Sequence, residues 1–106
     1  MKIGIIIETN DPEKAWNGIR LGNAALAQGH KVKIFLMGAG VEIETIIHEK
    51  FNAKKQIEEF VKNKGIVYAC GTCMKSRNQS ETDVCPMSTM IDCVTMVEWA
   101  DKVVTF

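Results

Sequence analysis

Residues Ile3–Ile7 form an uninterrupted apolar run with no polar alternation. A strand buried on both faces has this pattern, which is typical of parallel sheets covered by helices. Such a strand constrains everything that follows, because parallel strands must be joined by crossovers of a dozen or more residues, usually helical. The chain has 106 residues, which suffices for one hydrophobic core and is too short for two.

Helix and strand patterns alternate along the rest of the chain. Asp11 and Pro12 supply an N-cap and a first helical residue, and small and apolar residues then recur every three to four positions until Gly29. Further patterns predict strands at 32–37, 66–69 and 102–106. Residues 41–50 and 53–64 fit one helix or two short ones, with a break expected at 51–52, and a last helix is predicted from residue 88 or 89 to 99. This order predicts a single α/β domain over residues 1–106, with a mainly parallel sheet of four or five strands and helices on both faces.

Three loops follow predicted strands at the same edge of this sheet. They are residues 8–12, residues 37–40 and the segment from Cys70 onward. Ligands and reactive groups collect beyond the carboxyl ends of parallel strands. Glycines at 38 and 40 lack the spacing of a phosphate-binding loop, so we interpret residues 38–40 as a flexible strand-to-helix connection.

Charge and the amino terminus narrow the function classes. Thirteen Lys plus Arg balance thirteen Asp plus Glu, so nothing in the overall charge favours nucleic acid or an anionic membrane as a partner. The apolar run at the amino terminus stops at Glu8, far short of a signal peptide or a membrane span. We therefore expect a cytoplasmic protein, in which four cysteines are thiols, metal ligands or redox groups rather than structural disulfides.

Cys70 and Cys73 are the candidate catalytic residues. Cys70 ends a predicted strand, Gly71 permits a sharp turn, and a helix beginning after it would direct its positive end toward the Cys70 sulfur. Lys75 and Arg77 add positive charge, which favours the thiolate. A thiolate attacks sulfur, so this position suits a sulfur nucleophile, with Cys73 as an auxiliary thiol one helical turn away.

The remaining candidate ligands and nucleophiles are weaker. Cys93 lies on the apolar stripe of the last helix and is expected to pack in the core, while Cys85 precedes Pro86 and its role stays open. His30 and His48 adjoin no cysteine in the sequence and receive no role. The methionines and the two tryptophans are interpreted as packing residues. We expect no cofactor and no resident metal.

Residues 67–77, Val-Tyr-Ala-Cys-Gly-Thr-Cys-Met-Lys-Ser-Arg, resemble the DsrE-like family of small sulfur-relay proteins, which includes DsrE, DsrF and TusD-type subunits. The first strand and helix, the strand with its glycine loop and the final Glu-Trp-Ala-Asp-Lys segment agree with it. The resemblance implies a flavodoxin-like three-layer sandwich, a homotrimer or homohexamer, and a persulfide carried on the residue matching Cys70. Many relay subunits have Arg-Gly after this segment, whereas this chain has Arg77-Asn78 and an additional cysteine, Cys73.

Three functions are therefore open. The first is a sulfur carrier or sulfurtransferase-like protein that receives sulfur on Cys70 from a donor protein and passes it to an acceptor protein. The second is a thiol–disulfide module that uses the Cys70 and Cys73 pair, whose C-x-x-C spacing permits a disulfide. The third is a non-catalytic metal-binding or assembly protein, although the cysteine spacing lacks the second C-x-x-C that typifies a zinc site.

Overall fold

The computed structural model describes all 106 residues, as five strands, four α-helices and one 3₁₀-helix. The strands are β1 (Lys2–Ile7), β2 (Lys31–Leu36), β3 (Ile66–Cys70), β4 (Met87–Ser88) and β5 (Lys102–Thr105). The α-helices are α1 (Pro12–Ala27), α2 (Ala53–Lys62), α3 (Gly71–Lys75) and α4 (Met90–Trp99), and the 3₁₀-helix covers Gly38–Thr45.

The strands form one sheet in the order β4-β3-β2-β1-β5, and every neighbouring pair is parallel. The predicted α/β sandwich with a parallel sheet is confirmed. The two-residue strand β4, which the sequence patterns did not predict, pairs Met87 with Ala69 and Ser88 with Cys70. This edge strand fixes the chain beside the end of β3.

Successive residues of β1 show how the two faces are covered. Ile5 faces α1, where a Cβ on Gly22 would lie 3.3 Å from the Ile5 Cδ1 atom. Gly4 points to the opposite face, where a Cβ would lie 3.3 Å from the Met96 Cε atom of α4. The connection from β4 to β5 returns across the sheet, so a right-handed crossover carries α4 over the face opposite α1 and α2.

The helix predicted at 41–50 is wrong. A 3₁₀-helix ends at Thr45 and irregular backbone follows to the Asn52 N-cap of α2. Tertiary contacts override the helical pattern here, because Phe51 packs edge-on against Trp16 with ring centroids 5.2 Å apart, and His48 accepts backbone N–H groups that a helix would use internally. The break predicted at 51–52 is confirmed.

Helix α4 keeps much of its apolar surface in solvent. Cys93 and Met96 are buried against the sheet, as predicted for Cys93. Four apolar residues on the remaining surface are 45–76% exposed: Met90, Ile91, Val94 and Val97. The other face of the sheet has two helices, α1 and α2, which pack against each other and complete its core.

Candidate functional site

The three loops at the carboxyl edge of the sheet contact one another, as the parallel topology predicts. The Met37 N–H donates to the Ile7 carbonyl oxygen at 3.1 Å, which joins the ends of β2 and β1. Gly40 lies so close to the same carbonyl that a Cβ atom would overlap it. The Gly38 N–H donates to the Cys73 sulfur, with an N···Sγ distance of 3.2 Å, which joins the loop after β2 to the helix after β3.

Cys70 ends β3 and is the N-cap residue of α3. The helix predicted after Cys70 is present, although the Cys70 side chain takes no capping hydrogen bond from it. The residue is only 5% exposed, and it lines an open pocket of about 460 Å³ at the carboxyl edge. Cys70 is therefore held by the strand end, nearly buried, beside a space that a small reactant can enter.

Cys73 is half-buried and lies one turn along α3 from Cys70, in the same pocket wall. Burial raises the pKa of the Cys73 thiol, and the hydrogen bond from the Gly38 N–H opposes this effect. A hydrogen bond with the Cys70 side chain and negative charge on Cys70 raise the pKa of Cys73 further. Negative charge on Cys70 thus disfavours a thiolate on Cys73.

Gly38 is a site residue that the sequence analysis missed. We expected residues 38–40 to be a flexible connection, but they begin the 3₁₀-helix, and Gly38 has a φ angle of +54°. This left-handed conformation suits glycine and directs the amide toward the Cys73 sulfur. A glycine immediately after a buried strand was the available signal, because such positions lie at the ligand edge.

The two cations near the thiols are placed differently. Arg77 forms an ion pair with Glu42, with an Nε···Oε2 distance of 3.1 Å, and donates to the Cys73 carbonyl oxygen. Its charge lowers the pKa of Cys73. Lys75 is exposed and lines the pocket beside both cysteines. It is the one charged side chain in that lining.

The pocket is otherwise neutral. Besides the two cysteines and Lys75 it is lined by Gly71, by hydroxyls of Thr72, Ser88 and Thr89, and by Met87 and Met90. The φ angle at position 71 is not positive, so backbone conformation does not require glycine there. Glycine is favoured because β4 lies so close that a Cβ atom would be 2.9 Å from the Met87 Cγ atom. Strand β4 therefore forms the wall opposite α3.

Cys85 and Cys93 are both buried, and neither lines the pocket. Burial raises the pKa of Cys85 far above its usual value, and the nearby Glu44 carboxylate raises it further. Burial and negative charge on Cys70 raise the pKa of Cys93. No group of three or more His, Cys, Asp or Glu side chains is arranged to hold a metal ion.

The model of the DsrE/DsrF-like family matches residues 1–106. The chain belongs to this family. This DsrE-like chain is 33% identical to protein MJ0989 of Methanocaldococcus jannaschii over 115 aligned residues, which cover all of both proteins. It is 34% identical to protein MK0008 of Methanopyrus kandleri over 100 residues, which cover 89% of this chain and 83% of that protein.

Two solved structures have the same architecture as this DsrE-like chain. The YchN protein of E. coli is 25% identical and superposes with a TM-score of 0.85, with all of both chains covered. BT1422 of Bacteroides thetaiotaomicron is 17% identical with a TM-score of 0.80, covering 99% of this chain and 94% of that one, which shows the shared fold. None of the helices in the chain has the length and apolar character needed to cross a membrane.

Proposed function

We propose that this DsrE-like protein is a cytoplasmic sulfur carrier that holds persulfide sulfur on Cys70 and passes it to the thiol of a partner protein. Family membership is consistent with sulfur relay in general. The observation that carries the specific assignment is the position of Cys70 at the end of β3, where the residue borders an open pocket that Cys73 also lines. Cys85 and Cys93 are buried outside that lining.

The proposed loading step is a thiolate substitution at sulfur. The Cys70 thiolate attacks the outer sulfur of a donor persulfide, the new Cys70 S–S bond forms, and the donor leaves as its thiolate. The discharge step reverses this: an acceptor thiolate attacks the outer sulfur on Cys70, and Cys70 leaves as thiolate. No net electrons are exchanged in either step, so neither needs an oxidant.

Once Cys70 carries a persulfide, Cys73 makes a second reaction possible. A Cys73 thiolate can attack the Cys70 sulfur of the persulfide, forming a Cys70–Cys73 disulfide and releasing hydrosulfide. Burial raises the pKa of Cys73 and so slows this side reaction, and the hydrogen bond from Gly38 holds the Cys73 sulfur on the other loop although it partly opposes the effect of burial on the pKa. Cys73 is therefore an auxiliary thiol whose attack is restrained while sulfur waits for an acceptor.

Thiol–disulfide exchange is the second candidate, because Cys70 and Cys73 interact directly. In this function the pair cycles between dithiol and disulfide, and a partner disulfide supplies the oxidising equivalents. It needs both cysteines, whereas sulfur carriage needs Cys70 alone. This difference separates the two candidates experimentally.

A homotrimer or homohexamer is part of the same proposal. The exposed apolar surface of α4 defined above supports it, since a stable monomer rarely leaves several large apolar residues together in solvent. Met90 belongs both to that surface and to the pocket lining, so a neighbouring subunit on α4 would also border the cysteine pocket. Sedimentation at micromolar concentration tests it, and a stable monomer contradicts it.

The test of the function compares four single variants in which each cysteine is replaced by serine. Each protein is incubated with a low-molecular-weight persulfide donor, and the gain of one sulfur atom is measured by mass spectrometry of the intact chain. We expect Cys70→Ser to abolish loading, whereas Cys85→Ser and Cys93→Ser load like the wild type. Cys73→Ser should load and retain its sulfur longer, because the thiol that releases hydrosulfide is gone.

Two results decide against the proposal. Loading of Cys70→Ser at the wild-type level places the nucleophile elsewhere. A wild-type protein that forms the Cys70–Cys73 disulfide with oxidised glutathione, while no variant or wild type gains sulfur from the donor, selects the thiol–disulfide function instead. Circular dichroism of each variant verifies that the fold is retained.

A further inference from the structure

A second pocket lies at the opposite edge of the sheet, where the strands begin. Its volume is about 470 Å³. Strand β2 begins at Lys31, but β3 pairs with it only from Lys33, which lies opposite Ile66. This step leaves the beginning of β2 uncovered and creates a groove, bordered by the ends of α1, α2 and α4.

The groove combines apolar walls with cations. Its apolar lining consists of Leu26, Val32, Ile66 and Trp99, and its basic lining consists of Lys31, Lys33, Lys64 and His30. No acidic side chain lines it. Small-molecule sites are typically concavities of this size with mainly apolar walls and a few polar groups that fix orientation.

The positive charge in the groove has no counterion within the chain. Lys31 lies directly opposite Lys2 in the register of β1 and β2, so two like charges are adjacent. The one ion pair of the chain joins Arg77 to Glu42 at the other edge. Asp101, at this end of the sheet, uses a carboxylate oxygen to accept the Lys2 backbone N–H at 2.8 Å.

Trp99 gives the groove a flat aromatic wall. The Lys33 ammonium lies 4.3 Å from the centroid of its ring, and the Lys2 ammonium lies 5.9 Å from the same centroid. Ile66, on the neighbouring strand, is 45% exposed. The Lys33 ammonium thus covers part of the Trp99 ring. An apolar ligand body would lie against Ile66 and displace this ammonium from the indole, so that the ammonium could pair with the anionic group of the ligand.

We infer that this groove binds a small organic anion, with a flat apolar body against Trp99 and Ile66 and one anionic group held by Lys31, Lys33 and Lys64. Binding would neutralise like charges that the fold brings together and remove apolar surface from water. The site is separate from the cysteines, because strands β2 and β3 span about 15–20 Å between their ends. Ligand binding in this groove is therefore independent of the proposed sulfur chemistry.

The test uses naphthoate as the anionic probe, naphthalene methanol as its neutral counterpart and inorganic phosphate as an anion without an apolar body. Binding to the full chain is followed by two-dimensional amide NMR, which also reports the indole N–H groups. Trp99 reports the groove, and Trp16, on α1, is an internal control. We expect saturable shifts at Trp99 and the groove amides with naphthoate, and none at Trp16.

Matched variants isolate the charge and the apolar wall. Lys33→Gln should weaken naphthoate binding about fivefold, as expected when one partly solvated charge interaction of about 1 kcal/mol is lost. Lys54→Gln removes the same charge from the start of α2, outside the groove, and should leave binding within about twofold of the wild type. Ile66→Thr keeps a β-branched residue in the strand but makes this part of the groove lining polar, and it should therefore weaken naphthoate binding.

Several results overturn the inference. They are equal affinity for the neutral alcohol, equal affinity for phosphate alone, no saturable binding, shifts at Trp16 as large as those at Trp99, or equal loss in Lys33→Gln and Lys54→Gln. Retained binding in Ile66→Thr would contradict the assigned position of the apolar body. Amide spectra of the free variants verify that each is folded.

Discussion

The two edges of the parallel sheet differ in how the chain pairs its hydrogen-bonding groups and its charges. At the carboxyl edge, three loops hydrogen-bond or pack against one another, and the cations near the thiols include an arginine paired with a glutamate. At the amino edge, lysines face one another across neighbouring strands and no carboxylate pairs with them. The first edge holds its reactive groups in fixed positions, whereas the second leaves charge and apolar surface open to solvent.

This difference follows from the connections at each edge. The loops after β1, β2 and β3 carry side chains and amides back over the strand ends, so glycine is needed where backbones approach closely. The chain enters β2, β3 and β5 from helix ends through short turns, which cover little of the amino edge. Loops therefore fix the Cys73 thiol at the carboxyl edge, whereas strand starts and helix ends border the groove at the amino edge.

The largest expected difference is between two glycine-to-alanine substitutions. Gly40→Ala places a Cβ atom against the Ile7 carbonyl, where backbone atoms would have to move, and should lower the free energy of unfolding by about 3 kcal/mol. Gly29→Ala has open space around it and a φ angle of +88°, so only the left-handed backbone costs energy, about 1 kcal/mol. Urea denaturation measures both, and equal losses would contradict the contrast between the edges.

The next effect is a pH dependence of stability. The pKa of Cys85 is raised in the folded protein by burial and by Glu44, so its stabilising contribution is present below the unfolded thiol pKa and is lost as the pH rises above it. Between the pKa of the unfolded thiol, about 8.5, and its raised pKa in the folded protein, Cys85 should lower the free energy of unfolding by about 1.4 kcal/mol per pH unit.

Urea denaturation at several pH values from neutral to alkaline measures how steeply the free energy of unfolding falls with pH. This slope, rather than the absolute stability, tests the prediction. Cys85→Ala should flatten the decline by one thiol's contribution. Cys73→Ala should flatten it less, because the Gly38 N–H and Arg77 oppose the effect of burial on that thiol. An unchanged slope in Cys85→Ala would show that Cys85 ionises normally in the folded state.

A smaller effect concerns the reactivity of Cys73. In a Cys70→Ala background, Arg77→Gln should raise the pKa of Cys73, because the cation that lowers it is gone, and the alkylation profile should move up by about half a pH unit. Glu42→Gln should move the profile the other way, since it removes the carboxylate paired with Arg77. Iodoacetamide rates at Cys73, followed by peptide mapping, give both profiles. Shifts of the same sign would contradict this electrostatic assignment.

The smallest effect compares one charge at each edge. Lys31→Gln should raise the free energy of unfolding by about 0.2–0.5 kcal/mol at low salt, because Lys2 lies directly opposite it. Glu42→Gln should lower it by up to about 0.5 kcal/mol, since an exposed ion pair is lost. Both differences should fade at high salt. A loss of stability in Lys31→Gln would show that the lysine has a partner at the amino edge.

The sequence by itself determined the parallel α/β architecture and the position of Cys70 and Cys73 at the carboxyl edge of the sheet. Buried strands have continuous apolar runs, helices have periodic stripes and caps, and parallel strands bring their carboxyl ends to one edge, so Cys70 and the glycine loop had to lie near each other. Cys93 on an apolar helix stripe could be assigned to the core for the same local reason.

Only the tertiary structure decided the irregular backbone after Thr45, the short strand β4 and the contact of Gly38 with Cys73. Each depends on groups distant in sequence: Phe51 packs on Trp16, β4 needs the edge of β3, and the Gly38 amide meets a sulfur 35 residues away. The basic groove likewise arises from the strand register, in which β3 pairs with β2 only from Lys33 onward. Periodicity and propensity describe neighbours along the chain and do not specify such pairings, which packing and long-range hydrogen bonds select.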